Sequence, residues 1–127
     1  MFYKNARIFT PDFRFRTGAF EVRDGLFGEV LPENVPADAV DLNGATVIPG
    51  LIDVHSHGNS GADFSDGDYE GLKRMAAFYA KCGVTSFAPA SMTLPYDVLE
   101  KAFATAKQLH AEAPEGLSLS LIHISEP

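Results

Sequence analysis

Two histidines separated by one residue, His55 and His57, are the residues of this sequence best suited to chemistry. They follow the apolar run 51–54, LIDV, which predicts a strand buried on both faces. Side chains at positions i and i+2 of a strand point to the same face, with Cα atoms about 6.5–7 Å apart. Two neutral imidazoles on one face can bind one divalent ion such as zinc. We therefore predict that His55 and His57 are metal ligands.

The spacing alone leaves a second interpretation open, in which the histidines are a surface pair without a ligand. The acidic residues nearby are expected to form caps and turns rather than to bind metal: Asp53, Asp63, Asp66 and Asp68. His110 is expected to lie late in a helix, where a basic side chain suits the helix dipole. Cys82 is expected to pack at a helix end.

The elements that must position the histidines alternate between strand and helix. Apolar residues at helical spacing predict a helix over 69–82, followed by Gly83 at a position that favours glycine. A strand over 84–90 and a helix over 95–110 come next. This order predicts a parallel sheet, in which functional residues lie at the carboxyl ends of strands. The segment 57–63 between the first strand and helix is rich in small residues and is predicted to be a loop.

The first part of the chain, residues 1–48, has a different pattern. Short apolar runs predict strands at 2–9, 18–23, 26–31, 39–42 and 45–48. Asp24 and Gly25 separate two of these runs and predict a tight type I′ hairpin turn. We therefore predict an antiparallel sheet or half of a β-sandwich.

Composition excludes several classes of protein. The chain is 46% hydrophobic and 21% charged, which is typical of a globular protein rather than a disordered tail or a coiled coil. With 10 basic and 17 acidic residues its net charge is −7, which argues against binding to nucleic acid or an anionic membrane. The lone cysteine excludes an internal disulfide. Together with the lack of an apolar run of about 18 residues, these features favour a cytoplasmic protein.

Length raises a question about the second part of the chain. Residues 50–127 supply two strand–helix units and the start of a third, whereas a complete (β/α)8 barrel needs about 250 residues. We therefore expect either an unusually small fold or a fragment of a longer protein.

The segment 47–58, VIPGLIDVHSHG, resembles the first barrel strand of the amidohydrolase superfamily, in which a strand-rich segment precedes a similar His-x-His signature. Within that superfamily, three segments are similar to the N-acetylglucosamine-6-phosphate deacetylase family: HGNSGADF at 57–64, GVTSFAP at 83–89 and MTLP at 92–95. The resemblance spans about residues 5–118.

This resemblance implies a fold with two parts. Residues 1–48 would be a portion of a β-sandwich, and residues 49–118 would be the first two βα units of an incomplete, metal-dependent (β/α)8 barrel. The full-length protein would be a homodimer.

The resemblance also implies a chemistry. A divalent ion (zinc, iron or a similar metal) held by His55 and His57 would activate water for hydrolysis of the acetamide of an amino-sugar phosphate. In the family a late barrel aspartate acts as base, and a glutamate and two further histidines complete the metal site. No residue of this chain matches those positions, so the catalytic and substrate-binding residues stay unassigned. The net negative charge of the chain disfavours the binding of an anionic substrate.

The last nine residues, 119–127, have the sequence LSLIHISEP, which resembles a translated sequencing adapter. The family has a strand with a metal-binding glutamate here, but Ser125 stands at the glutamate position. We expect this tail to be non-native and Glu126 not to be a ligand.

Three alternatives remain open on the sequence. The chain could come from another amidohydrolase, such as a dihydroorotase- or hydantoinase-like cyclic amidase. It could be a small βαβα binding domain without catalysis, although its open sheet edges argue against that. It could also be inactive as it stands, because a truncated barrel lacks most of its ligands.

Overall fold

The computed structural model describes residues 1–32 and 34–112, together with the backbone of residues 118 and 119. The chain divides into two compact units, Met1–Pro49 and Gly50–Pro127. The described residues form a mixed α/β structure with separate sheets and two α-helices. The predictions for residues 120–127, including those for Ser125 and Glu126, concern residues outside the described ranges.

The first unit is a five-stranded sheet. Its strands are β1 (Phe2–Phe9), β2 (Phe15–Arg23), β3 (Leu26–Leu31), β4 (Val40–Asp41) and β5 (Thr46–Val47). The order across the sheet is β3-β2-β1-β4, and β5 also pairs with β1. Ala6, Ile8 and Phe20 are buried together as the core of this unit.

The hairpin predicted at Asp24 and Gly25 is confirmed. Strands β2 and β3 pair antiparallel up to Arg23 and Leu26, which flank the two turn residues. Asp24 has a φ of 52° and Gly25 a φ of 74°, as a type I′ turn requires. This is the backbone conformation that favours glycine and asparagine.

Replacing Gly25 with alanine is expected to destabilise this hairpin. A Cβ at Gly25 meets nothing within 4 Å, so the cost comes from the positive φ alone and should be about 1–2 kcal/mol. The change would be measured as the shift in the urea midpoint of unfolding. Gly25→Asn, which tolerates a positive φ, should cost clearly less, and an equal loss in both variants would contradict this explanation.

The prediction that all strands of the first unit are antiparallel is wrong. Both β4 and β5 pair parallel with β1. A two-residue turn forces its strands to be antiparallel, but the connection over residues 32–39 leads from β3 to the opposite edge of the sheet and imposes no such direction. The sheet is therefore mixed.

A bulge in β1 lies between the segments that pair with β4 and β5. Its register shifts between Tyr3 and Ala6, and Asn5 has a φ of 55°. The Asn5 side chain donates a hydrogen bond to Asp41 Oδ2 at 2.8 Å. The backbone N–H of Asn43, followed by the Asn5 side chain, holds the pKa of Asp41 below its usual value.

The second unit contains the predicted alternation of strands and helices. Its elements are β6 (Leu51–Ser56), β7 (Gly58–Asn59), β8 (Ala62–Asp63), α1 (Tyr69–Lys81), β9 (Val84–Pro89), α2 (Tyr96–Glu112) and β10 (Ser118–Leu119). Strands β6, β9 and β10 form a parallel sheet in the order β10-β9-β6. The predicted parallel arrangement is confirmed for this sheet.

The segment 57–63, predicted to be a loop, forms a small antiparallel hairpin, β7–β8. Its turn is made by Ser60 and Gly61, with φ values of 54° and 71°. A Cβ on Gly58 would lie 2.2 Å from the carbonyl oxygen of Ala62, so the two strands approach too closely for any other residue. The small residues therefore serve a tight hairpin rather than an irregular loop.

The helix limits agree with the sequence to within one or two residues. The Asp68 side chain caps α1 by accepting from the Glu70 N–H at 3.1 Å, and Gly83 follows α1 with a φ of 77°. Asp63 and Asp66 form a capping box on a 3-10 turn at Phe64–Asp66. The expected capping roles of these three aspartates are confirmed.

The core of the second unit lies where the two helices pack on the sheet. Its buried residues are Phe64, Leu72, Met75, Ala76, Tyr79, Phe87, Ala102, Ala106 and Leu109. The hydroxyl of Tyr69, the first residue of α1, donates to the carboxylate of Glu112, the last residue of α2. That bond raises the pKa of Tyr69 to about 12 and lowers the pKa of Glu112.

The prediction that the run 51–54 is buried on both faces is wrong for this structure. Leu51, Ile52 and Val54 are 53%, 67% and 76% exposed. Among the described residues β6 pairs only with β9, which leaves the other edge of β6 without a partner strand there. Cys82 is likewise exposed at the end of α1 instead of packed.

Candidate metal centre

The structure brings the side chains of His55 and His57 together at the carboxyl end of β6. His55 is the penultimate residue of the strand, and His57 is the first residue after it. The two Nε2 atoms are 3.2 Å apart, and the rings meet edge to face at 82°. His55 is exposed and His57 is half-buried, so both rings can be reached from solvent. The predicted placement on one face of a strand end is therefore confirmed.

A β-bulge sets the local geometry of His55. Asp53 pairs with Phe87 and Ser56 with Pro89, so two residues of β6 oppose a single residue of β9. A bulge of this kind removes a backbone N–H from the ladder and redirects the side chain beside it. The N–H of His55 instead donates to Asp53 Oδ1 at 3.1 Å.

The His57 ring is oriented by the segment that follows β9. Its Nδ1 lies 2.9 Å from the carbonyl oxygen of Ala90. A carbonyl oxygen can only accept, so Nδ1 carries the proton and the Nε2 of the neutral ring keeps its lone pair. The N–H of Ala90 in turn donates to the carbonyl oxygen of Ser56 at 2.8 Å. This pair of bonds joins the end of β6 to the end of β9.

Geometry and donor type both suit a divalent metal ion. Zinc–nitrogen bonds of about 2.0–2.1 Å from two atoms this far apart subtend an angle of roughly 100°, close to tetrahedral. A metal-binding histidine also characteristically donates its second ring N–H to a carbonyl or carboxylate, as His57 does to Ala90. Within the described part of the chain, no group of three or more His, Cys, Asp or Glu side chains could hold an ion. The described residues therefore offer two nitrogen donors at this point.

Sequence reasoning missed two groups that hold the segment around the histidines and one further buried polar group. The Tyr79 hydroxyl of α1 donates to Asp53 Oδ2 at 2.9 Å and also contacts the Ser56 hydroxyl. The Ala90 carbonyl orients His57. In β7, both side-chain amide atoms of Asn59 are buried without a hydrogen-bond partner among the residues described. No local pattern marks the first two groups, since Tyr79 and Ala90 reach the residues around the histidines only through the packing of α1 and β9.

The other histidine considered, His110, lies in the last turn of α2, where the sequence placed it. Its role stays a prediction. Neither helix in the described ranges has the length and apolar character that crossing a membrane requires.

Comparison with known proteins finds relatives that are named as deacetylases of amino-sugar phosphates. No protein-family model matches the chain. It is 31% identical over 91 residues to the N-acetylglucosamine-6-phosphate deacetylase of Vibrio furnissii, covering 72% of this chain and 23% of that protein. It is 28% identical over 137 aligned residues to the enzyme of the same name from Bacillus subtilis strain 168, covering 98% of this chain and 33% of that protein.

Solved structures give the same result. The N-acetylglucosamine-6-phosphate deacetylase of Pasteurella multocida matches with a TM-score of 0.81 and 27% identity, over 95% of this chain and 33% of that one. A variant of the Mycobacterium smegmatis enzyme, solved in complex with N-acetyl-D-glucosamine-6-phosphate, matches with a TM-score of 0.75 and 27% identity, over 98% of this chain and 33% of that one.

In its mixed α/β fold and in sequence the chain is similar to proteins that are named as hydrolases. The particular relatives are N-acetylglucosamine-6-phosphate deacetylases, and the chain matches their N-terminal part. This confirms the resemblance indicated by the motifs at 47–58 and 57–64. The chain spans about a third or less of the length of the relatives it matches.

Proposed function

We propose that this chain is the N-terminal part of a metal-dependent deacetylase. The full-length enzyme would hydrolyse the acetamide of N-acetylglucosamine 6-phosphate to glucosamine 6-phosphate and acetate. The observation that carries the proposal is the convergence of His55 and His57 Nε2 at 3.2 Å, at the carboxyl end of a parallel strand. Residues 1–48 would belong to a β-sandwich and residues 49–118 to the first two βα units of a (β/α)8 barrel.

His55 and His57 would hold the metal through their Nε2 atoms. When bound there, a divalent ion such as zinc or iron lowers the pKa of water towards neutrality and polarises an amide carbonyl. His57 contributes a fixed tautomer, because its Nδ1 proton is donated to Ala90. The remaining ligands and the general base would come from later residues of the full-length protein, because the described residues supply only this pair.

A second substrate has a specific observation in its favour. One relative, from Escherichia coli O157:H7, is named N-acetylgalactosamine-6-phosphate deacetylase; it is 26% identical over 102 residues, covering 80% of this chain and 26% of that protein. The two sugars differ only at the C4 hydroxyl, and the acetamide chemistry is the same. The histidine pair would serve either substrate, so residues elsewhere would decide between them.

The test uses the full-length protein and measures acetate release. We expect turnover of N-acetylglucosamine 6-phosphate to exceed turnover of the galactosamine epimer and of unphosphorylated N-acetylglucosamine. Removal of metal with a chelator should abolish the activity, and added zinc or iron should restore it. Full activity after thorough metal removal would contradict the proposal. Turnover of dihydroorotate or a hydantoin in place of the sugars would favour the cyclic amidase alternative.

A further inference from the structure

We propose that Tyr79 is a positioning residue for the metal-binding histidines, acting through Asp53 and Ser56. The inference rests on the proposed function, since it assumes that His55 and His57 bind metal. It assigns a role to a helix residue that has no direct contact with either imidazole.

A bulge interrupts the pairing of β6 with β9 next to His55. The His55 N–H has no place in the ladder with β9 and is held by Asp53 Oδ1 at 3.1 Å. The orientation of the Asp53 carboxylate therefore decides how the backbone at His55 is held. If the Asp53 carboxylate could rotate, the His55 N–H would lose its acceptor and the bulged backbone would no longer be held in this conformation.

The other carboxylate oxygen of Asp53 is held by a residue of α1. The Tyr79 hydroxyl donates to Asp53 Oδ2 at 2.9 Å, so both oxygens of Asp53 are engaged. Tyr79 is 8% exposed, and its ring lies 4.8 Å from the ring of Phe87, which is fully buried. The hydroxyl is thus fixed by the packing of α1 on β9.

The Tyr79 hydroxyl also contacts the segment that positions His57. It contacts the side chain of Ser56, the residue directly before His57. The Ser56 carbonyl accepts from the Ala90 N–H at 2.8 Å, and the Ala90 carbonyl in turn bonds to His57 Nδ1. The Tyr79 hydroxyl therefore contacts Asp53, two residues before His55, and Ser56, directly before His57. Its loss would allow both rings to depart from the 3.2 Å spacing that suits one ion.

The experiment compares metal binding by full-length protein carrying Tyr79→Phe with that of the wild type. Phenylalanine keeps the ring in its place against Phe87 and removes only the hydroxyl. Cobalt(II) is the probe, with affinity measured by competition against a chelator and ligand geometry by its visible absorption. We expect cobalt affinity to fall about 10-fold, the low end of the effect of removing an outer-shell partner. Tyr96→Phe, at a tyrosine that is 79% exposed, is the matched control and should bind as the wild type does.

A mutant cycle tests whether the hydroxyl acts through Asp53. Asp53→Ala should weaken cobalt binding, and the loss in the double variant should be smaller than the sum of the two single losses, with the Ser56 contact accounting for what Tyr79→Phe still costs. Asp53→Asn keeps an oxygen for the His55 N–H and a second polar atom for Tyr79, so it should restore most of the affinity. If Tyr79 only stabilised the fold, its loss would lower the melting temperature of the metal-free protein, and the cobalt affinities of the variants would not follow this pattern of coupling.

The outcomes separate this inference from the proposed function. If Tyr79→Phe binds cobalt with the affinity and spectrum of the wild type while His57→Ala loses binding, the inference is overturned and the metal site stands. If the variants of Tyr79 and Asp53 weaken binding additively, Tyr79 does not act through Asp53, and the inference is again overturned. If His55→Ala and His57→Ala both keep the metal, the proposed function and this inference fail together.

Discussion

Full-length protein carrying His55→Ala or His57→Ala is expected to lose the proposed metal and the proposed deacetylase activity. Each change removes one of two ring nitrogens that lie 3.2 Å apart, and no other described side chain lies in a group that could replace it. Loss of a direct ligand should exceed the 10–100-fold effect typical of outer-shell partners, so we expect activity to fall more than about 100-fold. Metal content by elemental analysis and acetate release would be measured on the same samples.

The matched control for this prediction is His110→Ala. His110 lies in the last turn of α2, in a different element from the pair, so its loss should leave metal content and turnover close to the wild type. The two pair variants should also differ from each other. His57→Ala additionally removes the bond to Ala90, so it should lower the melting temperature of the metal-free protein more than His55→Ala does. Retention of metal and turnover by both pair variants would refute the assignment.

Gly50→Ala is expected to destabilise the second unit by about 2 kcal/mol, in the range measured for overpacked sites. A Cβ at Gly50 would lie 2.0 Å from Oγ1, 2.3 Å from Cγ2 and 2.7 Å from Cβ of Thr85. Rotation of the Thr85 side chain moves the first two atoms but not its Cβ, so the start of β6 must move away from β9. The loss would be measured as a change in the free energy of unfolding.

The control for Gly50→Ala is a second substitution at Thr85, the residue that an added Cβ would contact. Thr85→Ala removes the two closest atoms and should cost little alone, because Thr85 is exposed. Combined with Gly50→Ala it should recover part of the lost stability, and the Cβ at 2.7 Å should keep the recovery incomplete. Equal destabilisation with and without Thr85→Ala would show that the cost arises elsewhere. Because Gly50 lies at the opposite end of β6 from the histidines, metal affinity should change less than stability.

Several features of the molecule could be predicted from the sequence because they depend on short stretches of chain. The type I′ turn at Asp24 and Gly25 follows from the two residue types, which tolerate a positive φ. The start of α1 at Asp68 and its end before Gly83 follow from capping chemistry. The shared face of His55 and His57 follows from the two-residue period of a strand.

Other features were predicted wrongly because they depend on distant parts of the chain. The direction of β4 and β5 depends on which edge of the sheet the chain reaches after β3, and turn-forming residues such as Pro36 and Asp38 do not specify that edge. The exposure of Ile52 and Val54 is decided by which strands lie beside β6, whereas apolar composition indicates only that a strand can be buried.

The sequence by itself determined the alternation of strands and helices, the hairpin turn and the pairing of two imidazoles at a strand end, since each arises from dihedral preferences and side-chain periodicity within a few residues. Only the tertiary structure decided how that pair is held. The acceptor for His57 is the carbonyl of Ala90, 33 residues away along the chain. The hydroxyl that anchors Asp53 comes from Tyr79, 26 residues away. Hydrogen bonds over such separations form only once α1 and β9 have packed beside β6, and burial of the shared core brings them there.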